Sequence, residues 1–168
     1  MPGAIAECGV FTGGTAQLLA LTVQDADERR DLHLFDTFSG MPETADPARD
    51  YHQPGDFSET SVGAVRTRLS GLGDCHMHVG LIPATFAEVA MIDRYAFVHV
   101  DVDIYDSTLE CCRWFWPRLV PGGTIVFDDY GFYPYRHAAR AAVDEYFAVE
   151  RRQPIVLPTG QAFVTKPG

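Results

Sequence analysis

Tyr95-Ala96-Phe97-Val98-His99-Val100-Asp101-Val102-Asp103 is an apolar run that ends in two carboxylates separated by one residue. A second run, Thr124-Ile125-Val126-Phe127, ends in the adjacent pair Asp128-Asp129. Short, continuously apolar segments of this kind read as strands buried on both faces of a parallel sheet. Open α/β sheets bind their ligands at the carboxyl ends of the strands. If the two strands are neighbours, four acids meet at one sheet edge. Four anions held together repel one another unless a cation joins them, so the pattern points to a hard divalent metal.

The segments around these two runs repeat one arrangement. Ala4 to Cys8 reads as a strand, Gly9-Val10-Phe11-Thr12-Gly13-Gly14-Thr15 as a tight turn, and Ala16 to Val23 as a helix. Asp31 to Phe35 is a second strand, followed by a long loop from Asp36 to Asp56 that holds Gly40, Pro42, Pro47, Pro54 and Gly55. A loop of that length inside a compact domain is usually functional. Asp56-Phe57-Ser58-Glu59 fits a capping box and predicts a helix to about Ser70. Cys75 to Val79 is a third strand ending at Gly80, and a short helix is expected after Pro83. Ser107-Thr108-Leu109-Glu110, a second capping box, predicts a helix to about Leu119 with Pro117 near its end. Val120-Pro121-Gly122-Gly123 reads as a turn and Tyr135 to Val149 as the last helix. Ile155 to Leu157 and Ala162 to Thr165 flank Pro158-Thr159-Gly160-Gln161, a hairpin signal.

Five β-then-helix units closed by a hairpin predict an α/β, three-layer Rossmann-like sheet, mostly parallel with a C-terminal antiparallel hairpin. Such a sheet resembles that of the class I methyltransferases rather than that of the dinucleotide-binding dehydrogenases. The 168 residues suggest one domain, 1–168. A net charge of −10 argues against nucleic-acid backbone binding. No apolar run is long enough to cross a bilayer and no signal peptide is visible, so a cytoplasmic protein without membrane attachment is expected. Cys8, Cys75, Cys111 and Cys112 form no C-x-x-C pair and read as reduced thiols.

The chemistry-bearing residues fall into two sets. Glycines in the turn after the first strand allow close approach of a ligand and positive φ. Glu7, at the end of that strand, could pair with a ligand ammonium, and S-adenosylmethionine carries one. Asp36 ends the second strand, where Rossmann-like sites place an acid on a ribose; the competing reading is a cap for the loop through Thr37 and Ser39. Asp101, Asp128 and Asp129 are the expected metal ligands, and oxygen-only ligation points to Mg²⁺, with Mn²⁺ or Ca²⁺ as alternatives. Asp103 is placed to accept a substrate proton. His99 could orient a ligand from behind, and His76 and His78 alternate on one strand face. Trp114, Phe115 and Trp116 should pack a helix on the sheet, and Tyr130 to Tyr135 should form a pocket wall.

Together these segments resemble the macrocin O-methyltransferase-like family. The matching stretches are Ala6 to Thr15, Leu34-Phe35-Asp36-Thr37-Phe38-Ser39-Gly40-Met41-Pro42, His99 to Thr108, Gly122 to Tyr130, and Ala141 to Tyr146. The resemblance implies a class I fold and O-methylation of a hydroxyl on a sugar or glycosylated natural product in antibiotic biosynthesis, with S-adenosylmethionine and Mg²⁺. It places metal ligands at Asp101, Asp128 and Asp129, a general base at Asp103, and cofactor contacts around Glu7, Gly9 and Asp36. Val10, Phe11, Gly13, Thr15, Thr37 and Gly80 on the adjoining turns complete the expected cofactor set. Family members usually carry a helical segment before the first strand, which is not seen here; the family leaves room for a homo-oligomer. Two rival readings are a metal-dependent glycosyltransferase built on a D-x-D motif and a catalytically inactive cofactor-binding module.

Overall fold

A computed structural model describes residues 1–26, 29–44 and 46–168. Seven strands form one sheet: β1 (Ala4–Cys8), β2 (Leu32–Asp36), β3 (Cys75–Val79), β4 (Tyr95–Val100), β5 (Leu119–Phe127), β6 (Ile155–Val156) and β7 (Ala162–Thr165). Their order is β3-β2-β1-β4-β5-β7-β6. The first five run parallel, while β7 lies antiparallel to β5 and β6 antiparallel to β7. This is the α/β sheet, parallel with a closing antiparallel pair, that the strand pattern predicts.

Helices α1 (Gly14–Asp25) and α2 (Val62–Arg68) cover one face of the sheet, α3 (Tyr105–Arg118) and α4 (Ala139–Val149) the other. Alternation along each strand supplies both cores. Leu32 and Leu34 of β2 join Ala16, Ala20 and Val65 on the first face. Phe35 turns to the second, among Phe86, Phe115, Phe127 and Phe147. Phe115 and Trp116 are buried there, as expected of the aromatic run on α3. No helix among the described residues is long and apolar enough to cross a membrane. The four cysteines are free thiols.

Three helix starts differ from expectation, one of them through a cap distant in sequence. Helix α2 opens at Val62, with Ser61 Oγ accepting from Ala64 N at 3.2 Å. The predicted cap at Asp56 is used otherwise: its carboxylate accepts from Gln53 N and lies 3.2 Å from His52 Nδ1. Helix α3 begins two residues before its predicted box, because Asp50 Oδ1 accepts from Tyr105 N at 2.9 Å across the chain. The stretch before α4 is a short 3₁₀ turn, Tyr133–Tyr135, and the helix proper begins at Ala139. The expected turn at Val120 to Gly123 lies inside β5 as an irregularity, the register against β4 shifting between Tyr95 and Phe97.

The sheet register sets the strand ends level. Cys8 pairs with Phe35 and with Val100, and Val100 pairs with Phe127. Gly9 N donates to Phe35 O, Asp101 N to Cys8 O, and Asp128 N to Val100 O. The loops after β2, β1, β4 and β5 therefore emerge side by side. The strand order reverses between β1 and β4, which is where such sheets open a crevice.

Candidate active site

A cavity of about 270 Å³ lies over these strand ends. One half is lined by Gly9, Phe11, Asp36, Thr37 and Gly80. The other is lined by Asp101, Asp103, Asp129 and Tyr135, and Met41, Pro42 and Phe57 of the long loop also line the cavity. Gly9 is required by backbone packing: a Cβ there would lie 1.7 Å from Asp101 O, so the β1 turn and the β4 end touch main chain to main chain. Gly13, at φ 81°, is the left-handed residue that turns the chain into α1.

Asp36 holds the glycine turn in place. Its Oδ2 accepts from Val10 N at 2.7 Å and Phe11 N at 2.9 Å, and its Oδ1 accepts from Phe38 N at 2.6 Å. It thus caps its own loop while also lining the cavity. Four residues of the expected cofactor set do not open onto the cavity. Val10 is buried, contributing its N–H to Asp36. Gly13 packs against Val65. Thr15 lies on the exposed side of α1. Glu7 is 1% exposed, with its Oε1 3.4 Å from His99 Nδ1. A buried imidazole on the adjacent strand draws the carboxylate inward.

The acids gather in an uneven way. Asp101, Asp103 and Asp129 each offer an oxygen within 4.8 Å of the other two. Asp128 stands apart from that trio: its Oδ1 accepts from Gln161 Nε2 at 2.8 Å and lies 3.6 Å from His99 Nε2. The electrostatics follow this division. Burial, then repulsion from Asp129 and Asp128, pushes Asp101 up to about 8. Burial and the Asp103 charge push Asp129 up to about 8. Asp103 rises to about 6, chiefly by burial, with hydrogen bonds to Asp129 and Tyr135 restraining it. Asp128 is held below the usual carboxylate range by its bond to His99. Burial opposes the charge on His99, but Asp128 and Glu7 outweigh it and lift the imidazole to about 10. Asp103 also takes φ 58°, a left-handed conformation that costs a side-chain-bearing residue on the order of 1 kcal/mol and is typical of functional sites.

The loop after β2 brings residues that carry no local signal of function. His52 Nε2 lies 2.8 Å from Tyr135 Oη and 3.7 Å from Asp103 Oδ1. Its ring packs on Phe57, which in turn meets Phe11 edge-on. This aromatic strap links the glycine turn to the acids. Of the aromatic run after β5, Tyr135 alone lines the cavity. Tyr130 is buried, donating to Asp144 Oδ1, while Phe132 and Tyr133 are exposed. His76 and His78 stack about His33 on the β2–β3 edge, away from the crevice; burial holds His33 down at about 4.

The donor set fits a hard cation. Three buried or half-buried carboxylates, mutually repelling and all oxygen, are what Mg²⁺ or Ca²⁺ selects. Residues 1–156 match the family model described as macrocin-O-methyltransferase (TylF). The chain belongs to this family. Among curated TylF-like relatives, the mycinamicin III 3''-O-methyltransferase of Micromonospora griseorubida is 31% identical over 160 residues, covering 87% of this chain and 61% of the relative. The 8-demethyl-8-(2,3-dimethoxy-alpha-L-rhamnosyl)-tetracenomycin-C 4'-O-methyltransferase of Streptomyces olivaceus is 29% identical over 156 residues, covering 87% of this chain and 58% of the relative. The chain thus spans about three fifths of the length of these relatives. Among solved structures, the O-methyltransferase NovP superposes with a TM-score of 0.84 at 26% identity, over 99% of this chain and 73% of NovP. The calicheamicin methyltransferase CalS11 shares the fold, with a TM-score of 0.75 at 21% identity, over 98% of this chain and 72% of that protein.

Proposed function

We propose that the chain is an S-adenosylmethionine- and Mg²⁺-dependent O-methyltransferase acting on a hydroxyl of a sugar or glycosylated natural product. The observation that carries this reading is the group Asp101, Asp103 and Asp129, half-buried or buried, beside the Gly9 turn and Asp36 in one crevice. Family membership supports the reaction class, and the sugar O-methyltransferases among the relatives support the acceptor class. The glycosyltransferase alternative has no comparable support in this sheet or family.

In this reading Asp36, Thr37 and the Gly9–Phe11 turn hold the donor. Asp101 and Asp129 would hold the metal together with Asp128, which stands beside the converging trio. A bound Mg²⁺ would supply Lewis-acid stabilisation of charge on the acceptor oxygen. Asp103, which lines the crevice beside Asp129 and Tyr135, is left as the base. It removes the hydroxyl proton as the oxygen forms a bond to the donor methyl and the methyl–sulfur bond breaks. The crevice contributes alignment of oxygen, methyl and sulfur.

Methyl transfer from S-adenosylmethionine to a panel of glycosides, with and without EDTA, tests this. Transfer that EDTA stops and Mg²⁺ restores is the expected result. Transfer indifferent to chelation removes the metal, and absence of transfer alongside tight S-adenosylhomocysteine binding favours the inactive binding module.

A further inference from the structure

The C-terminal hairpin, paired with β5, reaches one of the acids at the end of that strand. Register pairs Phe127 with Ala162, so the residues that follow and precede them, Asp128 and Gln161, face each other across the β5–β7 ladder. Gln161 Nε2 donates to Asp128 Oδ1 at 2.8 Å across 33 residues of sequence. The amide is oriented at its other end, where Thr159 Oγ1 donates to Gln161 Oε1. Its NH₂ therefore faces the carboxylate and its oxygen faces away.

The turn that carries this amide is fastened to the loop after β5. Gly131 N donates to Gly160 O at 2.7 Å, and Leu157 N to Gln161 O at 2.8 Å. A Cβ at Gly131 would lie 2.6 Å from Gly160 O, and one at Gly160, whose φ is 100°, would lie 2.7 Å from the Phe132 ring. Both positions need glycine for the two loops to meet. An amide held this firmly against one carboxylate of four does more than close a hairpin.

We infer that Gln161 is a positioning residue: the β6–β7 turn holds Asp128 by one oxygen so that its other oxygen is presented to the divalent cation. The inference rests on the metal reading given above. Gln161 shares that oxygen of Asp128 with His99, whose Nε2 lies 3.6 Å away, so both partners sit on one side of the carboxylate. Partners of this kind behind a ligating group typically change metal affinity 10–100-fold when removed.

The test measures Mn²⁺ binding to the chain by electron paramagnetic resonance, without donor or acceptor. Gln161→Leu is expected to raise the Mn²⁺ Kd about tenfold, leaving the S-adenosylhomocysteine Kd unchanged. Gln161→Glu, which places an anion against Asp128, is expected to distort the site further and shift the Mg²⁺ activation constant in the same sense. Thr159→Val, which only frees the amide, should weaken Mn²⁺ binding in the same sense but less than Gln161→Leu, and serves if Gln161→Leu fails to fold. Wild-type Mn²⁺ binding that these variants leave unchanged overturns the role of Gln161 and spares the metal reading. Failure of the wild-type chain to bind Mn²⁺ overturns both.

Discussion

At the scale of the residue, Asp103 separates chemistry from architecture. Asparagine keeps its shape and tolerates the left-handed backbone at φ 58° better than other residues, so Asp103→Asn removes the base and little else. Turnover is expected to fall by about 10²–10⁴, with S-adenosylhomocysteine affinity, measured by calorimetry, within twofold of wild type. Normal turnover in that variant excludes Asp103 as base. The acids at 101, 103, 128 and 129 were readable individually, because each ends an apolar run. Their division of labour was not. Asp128 differs from its neighbours through His99 and Gln161, one on a parallel strand and the other in the turn before an antiparallel one. Glu7 shows the same limit: its strand-end position suggested a ligand contact, and the adjacent strand supplied His99 instead.

At the scale of the element, two segments invite measurement. Ser61 is the side-chain cap of α2, and its loss should cost about 1 kcal/mol. Ser61→Ala is therefore expected to lower the urea midpoint without changing the slope of the transition, and an unchanged midpoint would show that the cap contributes nothing. The long loop after β2 is tied to the site by His52, through Tyr135 and Asp103. A net hydrogen bond of about 1 kcal/mol corresponds to roughly fivefold in an equilibrium. His52→Ala should reduce kcat/KM for the acceptor by about that factor and speed proteolytic cleavage between residues 40 and 56, with donor binding intact. Equal proteolysis rates would argue against the tie. The sequence marked this loop as functional by its length, but His52 and Asp50 carried no local signal. Both act on residues more than fifty positions away, which no pattern within the loop encodes.

At the scale of the whole molecule, the charge arrangement makes stability depend on pH in two opposing ways. Asp101 and Asp129, raised to about 8, hold protons more tightly folded than unfolded, so the stability they allow declines as pH rises toward 8. His99, raised to about 10, adds to that decline above its unfolded value of 6.5. His33, held at about 4, acts oppositely, losing stability as pH falls below 6.5. In EDTA the melting temperature should therefore drop between pH 6.5 and 8.5, by about 2–4 °C for each kcal/mol lost. Mg²⁺ should shrink the drop by joining the acids, and a drop equal with and without Mg²⁺ would show that no ion binds there. Strand number, strand direction, the closing hairpin and the candidate acids were all legible in the chain, because apolar periodicity and turn residues act over a few positions and each reports its own burial. The partners of those acids, the tertiary caps of α3 and the hold of Gln161 on Asp128 arise from register between segments 26 to 83 residues apart. Such pairings depend on how the sheet is ordered and levelled, a property of the packed molecule that no single stretch of sequence carries.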